Sequence, residues 1–162
     1  MLKANFVNHT EIAMKNSLSQ IADFMKLRTF AIIGVSTKKK KFGNYILEHM
    51  LDKELRVLPI HRTAAEIDGI KCYPSVADLP VKPDAVILVV PPAETEKVLV
   101  ELHEAGIKNV WMQQGAESNK AIVYCLQNDI NVIAGQCILM FLDKPGFPHN
   151  VHKWFWSLGA RG

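Results

Sequence analysis

Cysteine is scarce in this chain, and its few copies are badly placed for cross-linking. Cys72, Cys125 and Cys137 are far apart and form no CxxC pair, which excludes a disulfide framework and a cysteine zinc site. Long apolar runs are missing too. The longest, Ala85 to Pro92, falls far short of the ~20 residues of a membrane-spanning helix. The opening MLKANFVNHT lacks the apolar centre of a signal peptide, so the expectation is a cytoplasmic protein with no membrane partner. Strong charge is absent as well. A formal net charge of +3 over 162 residues gives no ground for nucleic-acid binding. Finally, no nucleophile, base and acid stand in a recognisable constellation. Glu94 and Glu96 fit the first turn of a helix, where carboxylates oppose the dipole, and no catalytic group is nominated.

What is present is an ordinary globular composition, 49% hydrophobic and 22% charged, enough for one domain with a real core. Apolar runs alternate with segments of helical spacing. Ser17 to Gln20 fits a capping box, with Ser17 accepting and Gln20 reaching back, ahead of Leu18, Ile21, Ala22 and Met25 on one helical face. Phe30–Ile33 reads as a buried strand. Ile46, Leu47, Met50 and Leu51 follow as a helical stripe ending near Asp52-Lys53, and Leu55–Ile60 as a second strand. His61 to Asp68 is expected to be loop, Ile70–Tyr73 extended, and Val76–Leu79 a short turn capped by Ser75. Ala85–Val90 has no polar alternation, which marks a strand buried on both faces. A helix with Val98, Leu99, Leu102 and Ala105 inward follows, then strand Asn109–Met112. A helix from Ser118 to Gln127 with Ala121, Ile122, Cys125 and Leu126 inward comes next, and strand Asn131–Ala134 last.

This alternation predicts an α/β fold. The expected form is a single Rossmann-like doubly wound domain over 1–162, with about five parallel strands and helices on both faces. Its core spans 29–137, with an N-terminal helix at 16–27 and an aromatic tail at 143–162. In such sheets ligands bind beyond the carboxyl ends of the strands, where strand order reverses.

The segment organised for that purpose is Phe30 to Asn44, FAIIGVSTKKKKFGN: strand, glycine, polar basic loop, helix start. Backbone N–H groups at such a helix start suit a phosphate, and Ser36, Thr37 and one or two lysines suit a diphosphate. The competing reading of the lysines is a solvated basic loop. Against the dinucleotide fingerprint, Gly34 supplies only the first glycine and Ser36 stands in place of the second. The second strand ends in His61-Arg62 where an NAD site carries an acid. A base there suits a phosphorylated ribose, as in NADP or coenzyme A, unless Arg62 merely solvates its loop.

Together, GVSTKKKKFGN, EIDGIKCYPSVADLP, VVPP, VWMQQGA and GQC, in this order from about Phe30 to Cys137, resemble the CoA-binding domain family. That family is related to the amino-terminal domain of the succinyl-CoA synthetase alpha subunit. The resemblance implies a Rossmann-like domain that binds coenzyme A. With no catalytic group nominated, the expected function is a small cytoplasmic protein that binds coenzyme A or an acyl-CoA without catalysis of its own. The resemblance places Gly34, Ser36, Thr37 and Lys38 on the diphosphate, with Phe42, Gly43 and Asn44 at the helix start. Arg62 would lie near the adenosine end, Val90, Pro91 and Pro92 beside the adenine or pantetheine, and Gln114 and Gly115 along the pantetheine arm. The synthetase carries its phosphorylated histidine in a second domain, which has no counterpart in these residues. An NADP-dependent oxidoreductase or a nucleotide- or redox-sensing protein is the alternative, and an interaction protein using the basic loop and aromatic tail a third. Monomer and homodimer both remain open.

Two further features are weighed. Cys137 would lie near the ligand mouth, where a mixed disulfide with a CoA thiol is conceivable, against the commoner inert buried cysteine. His149 and His152 form an HxxH pair without a third ligand nearby, and a solvated helix face is the expected reading; no metal is assigned.

Overall fold

Each apolar run buries alternate side chains on opposite faces, because strand side chains point up and down in turn. The computed structural model describes residues 16–38 and 41–142 and shows where those faces go. Strands β1 (Thr29–Ile33), β2 (Arg56–Ile60), β5 (Ala85–Leu88), β6 (Asn109–Gln113) and β7 (Asn131–Gln136) form one parallel sheet in the order β2-β1-β5-β6-β7. Phe30, Ile32, Ala85, Ile87, Trp111 and Ile133 face one side. There they meet α1 (Leu18–Phe24), α2 (Phe42–Asp52) and α5 (Leu139–Leu142). Ala31, Val86, Leu88, Val110, Met112 and Val132 face the other, against α3 (Pro92–Glu104) and α4 (Asn119–Gln127). The expected five-stranded parallel sheet covered on both faces is therefore present.

Strand order reverses between β1 and β5: the chain goes from β1 outward to β2, then returns to β5 on the other side. The crevice of a doubly wound sheet opens at the carboxyl ends of these two strands.

Several local expectations are corrected by packing. Ser17 does accept from the Gln20 N–H, at 3.1 Å. The Gln20 side chain does not reach back; its Nε2 donates to Asn131 Oδ1 at 2.6 Å and to the Val132 carbonyl at 2.9 Å. Nearby, the Asn16 side chain donates to the Ala134 carbonyl and accepts from the Ala134 N–H. These side-chain amides thus satisfy backbone groups of the edge strand β7, much as a further strand would.

The buried face of α1 is Ile21 and Phe24, while Leu18 is 80% exposed and Ala22 is exposed. Phe24 is drawn inward by rings: it lies 5.2 Å edge-on to Trp111 and 5.9 Å from Phe30. Leu126 of α4 is likewise outward, with Ala121, Ile122 and Cys125 buried as expected. α2 ends without glycine because Glu54 itself takes the left-handed conformation, φ 58°.

The loop expected over 61–68 contains a strand. β3 (Glu66–Ile67) pairs antiparallel with β4 (Ile70–Lys71) around Asp68-Gly69, both at positive φ, the tight turn that Asp-Gly favours. Ser75 makes no cap bond to the backbone of the 3-10 turn Val76–Asp78; its hydroxyl donates to Asp78 Oδ2 at 2.6 Å. Strand β5 stops at Leu88, and Val89 and Val90 are only half-buried. Among the described residues no helix is long and apolar enough to cross a membrane. Lys39 and Lys40, and the tail with His149, His152 and Trp154 to Trp156, lie outside the described residues.

Candidate functional site

The carboxyl end of β1 is shaped by two glycines. Gly34 leaves the strand at φ 116°, where a side chain is strained, and any Cβ would overlap the Val89 carbonyl at the end of β5. Gly43, in the first turn of α2, faces Gly34 so closely that a Cβ there would overlap the Gly34 carbonyl. β1, β5 and the start of α2 are thus pressed together backbone to backbone. The dinucleotide fingerprint uses its last glycine for this helix–strand approach, and Gly43 does the same work later in sequence.

Asn44 gives the loop its form. Its side chain is 5% exposed, accepts from the Ser36 N–H at 2.9 Å and donates to the Ser36 carbonyl at 2.8 Å. One amide thus satisfies both backbone groups of a residue eight positions earlier. The Ser36 hydroxyl in turn accepts from the Lys38 N–H at 3.1 Å. Val35 is buried beneath, while Thr37 and Lys38 are exposed. At the start of α2, Lys41 occupies the cap position with no side-chain cap bond, and Phe42 is half-buried. A helix start without a side-chain cap, beside a rigid turn, is where an anion is stabilised.

On the opposite lip, the chain leaves β5 at Leu88 and passes through Val89 and Val90 to Pro91, the cap of α3, and Pro92, its first residue. Pro92 has no N–H to leave unpaired, which suits that position. Arg62 follows β2, and its guanidinium lies 3.8 Å from Glu94 Oε1 in the first turn of α3. β1 lies between β2 and β5, so this pair links the segments that follow the two strands flanking β1. Lys97 holds the other Glu94 oxygen at 3.6 Å. Sequence reasoning had Glu94 as a dipole residue only; its partnership with Arg62 depends on strand order.

Gln114 and Gly115 stand one strand further out, after β6, and both are exposed. The Gly115 N–H donates to Glu117 Oε2 at 2.8 Å, and the Gln114 N–H to the Gln136 carbonyl at 3.3 Å. Among the described residues no hydrogen bond joins them to the glycine turn. Their neighbour Gln113, expected in the same loop, is instead the buried last residue of β6: it is 1% exposed, and its Oε1 accepts from the Ile138 N–H at 3.1 Å, while its Nε2 has no partner. Thr95 of α3 is also wholly buried with its hydroxyl unpaired. Both were hidden by polar identity in otherwise apolar patterns.

The remaining polar groups are structural. Glu96 of α3 accepts from the Ser118 hydroxyl at 2.7 Å and pairs with Lys120 at 3.1 Å, tying α3 to the start of α4. The Ser118 bond and then Lys120 hold its carboxyl below the usual range. Burial pushes the Cys125 thiol up to about 12, and burial, then Glu66, also raises Cys72, so neither is a ready thiolate. Cys137, just past β7, is buried at 4% exposure. Among the described residues no group of three or more His, Cys, Asp or Glu side chains is placed to hold a metal.

Comparisons with known proteins give the family. The family model described as CoA binding domain matches residues 28–143, and the chain belongs to that family. It is 36% identical over 107 residues to an ADP-forming acetate–CoA ligase of Methanocaldococcus jannaschii, covering 66% of this chain and 15% of the ligase. It is 33% identical over 88 residues to the alpha subunit of ADP-forming acetate–CoA ligase II of Pyrococcus furiosus, covering 54% of this chain and 19% of that subunit. The chain therefore spans less than a fifth of either ligase. Among solved structures, a conserved hypothetical protein from Pyrococcus furiosus superposes with a TM-score of 0.67 at 39% identity, covering 70% of this chain and 97% of that one. The dinucleotide-forming acetyl-coenzyme A synthetase 1 of Ca. Korarchaeum cryptofilum, in its apo form, superposes at 0.57 with 28% identity, over 65% of this chain and 25% of that one.

Proposed function

We propose that this chain is a cytoplasmic binding protein for coenzyme A or an acyl-CoA, gripping the ligand across the carboxyl ends of β2, β1 and β5 without covalent chemistry of its own. The observation that carries this reading is the glycine cradle held by Asn44. Gly34 and Gly43 give up side chains so that backbone reaches backbone, and Asn44 locks the Ser36 peptide at the head of a helix with no side-chain cap. That arrangement fits a diphosphate, whose oxygens accept from backbone donors, and membership of the CoA binding domain family supports coenzyme A as its source.

In this reading Gly34, Ser36, Thr37, Lys38 and the first turn of α2 (Phe42, Gly43, Asn44) hold the diphosphate. Arg62 meets the ribose phosphate, Val90, Pro91 and Pro92 flank the adenosine or the arm, and Gln114 and Gly115 border the pantetheine. Bound CoA would supply the thiol, and with it any acyl group. The Ser36 and Thr37 hydroxyls and the backbone N–H groups of the turn are donors suited to gripping phosphate oxygens. The family assignment supports coenzyme A and lends nothing to the NADP alternative.

A thermal-shift panel with CoA, acetyl-CoA, dephospho-CoA, NAD and NADP tests the reading. A ligand at 100 times its dissociation constant adds ~2.7 kcal/mol, several degrees for a domain of this size. Stabilisation by CoA or acetyl-CoA and not by NAD is expected. A response to NADP with none to CoA would overturn the assignment.

A further inference from the structure

We infer that Glu94 is a specificity-determining residue, a built-in counter-anion that occupies Arg62 and lowers the preference of the site for a phosphorylated ribose. The inference rests on the CoA reading above and goes beyond it by naming what limits the discrimination. Strand order alone brings the two residues together. Arg62 follows β2 and Glu94 lies in the first turn of α3 after β5, so their 3.8 Å contact joins the segments on either side of β1. A ligand whose ribose phosphate meets Arg62, as in that reading, comes close to Glu94.

The carboxylate is held in position from both sides. One oxygen faces Arg62, and the other faces Lys97 at 3.6 Å, one helical turn along α3. A ribose phosphate that approaches Arg62 comes to rest beside the negative charge of Glu94. A ligand with an unmodified ribose does not meet that cost. Glu94 therefore narrows the gap between CoA and dephospho-CoA. Specificity is a difference of affinities, and a like charge placed against one ligand changes that difference without contacting the other. Arg62 is 67% exposed and Glu94 38%, so solvent screens the pair and the effect is modest.

The experiment is a calorimetric titration of the full chain with CoA and dephospho-CoA, for the wild type, Glu94→Gln, Arg62→Ala and the double variant. Both residues are surface-exposed, and a melting curve for each variant verifies folding. Glu94→Gln is expected to raise the ratio of CoA to dephospho-CoA affinity by about 2- to 5-fold, the range of an exposed ion pair. In the Arg62→Ala background the same change should leave the ratio where it was. Equal gains for both ligands would mean a general charge effect, and weaker binding of both would put Glu94 on the ribose hydroxyls. Either result overturns the inference while CoA binding stands, as would a ratio shift that survives loss of Arg62. Absence of CoA binding by the wild type instead removes the proposed function, and this inference with it.

Discussion

Replacing Asn44 by alanine tests the link between fold and ligand grip most directly. Two hydrogen bonds disappear, to the Ser36 N–H at 2.9 Å and to its carbonyl at 2.8 Å. At about 1 kcal/mol net for each, the loss is ~2 kcal/mol. Ser36 is half-buried, so water recovers part of it, and alanine is the better helix residue by roughly 0.5 kcal/mol. A net destabilisation of about 1–2 kcal/mol follows, or roughly 3–6 °C in Tm at this size. The effect on CoA should be larger than on stability. Once released, the turn must be ordered by the ligand, at ~1–2 kcal/mol per residue, so freeing even one or two residues weakens binding roughly 10- to 100-fold. Asn44→Asp sharpens the test. It keeps the volume and the acceptor for the Ser36 N–H, but it sets a carboxylate against the Ser36 carbonyl and loses at least as much affinity. Urea melts and calorimetric titration with CoA measure the two quantities separately. A variant destabilised as expected that still binds CoA within twofold of wild type would refute the view that Asn44 preorganises the site.

Gly43→Ala forces a Cβ into the Gly34 carbonyl, and should cost about 1–3 kcal/mol of stability despite the better helix propensity of alanine, with CoA binding lost alongside; a melting curve equal to wild type would show that the helix can retreat freely. Asn16→Ala with Gln20→Ala uncovers the Ala134 N–H and carbonyl and the Val132 carbonyl on edge strand β7. The expected result is ~1–2 kcal/mol less stability and concentration-dependent association in size-exclusion chromatography. Glu96 has its pKa depressed below 4.5 in the folded state, so its contribution is complete above the unfolded value and fades as pH falls through the folded one. Glu96→Gln should therefore flatten the acid limb of a stability–pH curve below about pH 4.5 and converge with wild type at the lowest pH; an unchanged limb would mean the Ser118 and Lys120 contacts carry no linkage.

How much was legible varied by element and for identifiable reasons. Ala85–Leu88 and Phe30–Ile33 announced themselves as strands because a parallel strand covered on both faces leaves no polar positions. Helix faces were less secure. Leu18 and Leu126 fit the apolar spacing yet point outward; for Leu18 the reason is that the seven-residue α1 turns on Phe24 meeting Trp111, a contact set by the sheet rather than by α1. Gln20 obeyed its motif as a residue type and broke it as a side chain, since edge strand β7 offered unsatisfied acceptors that the helix start could not match. The glycine turn was visible from Gly34, but the second close approach was not, because Gly43 is separated from it by a longer loop than the usual fingerprint.

The sequence by itself determined the layers of this protein: uninterrupted apolar runs, turn residues and helix stripes are local patterns, and their alternation specifies a parallel sheet with helices on both faces. It also determined the chemistry of the main loop, a glycine exit followed by hydroxyls and lysines. Only the tertiary structure decided which loops meet. Strand order β2-β1-β5 is settled by packing between segments far apart in the chain, and no local pattern encodes it. That order sets Arg62 against Glu94 from the segments on either side of β1, and close packing of α2 on β1 lets Asn44 hold Ser36. A phosphate loop was written in the residues; the crevice that makes it a site exists because of where the sheet places them.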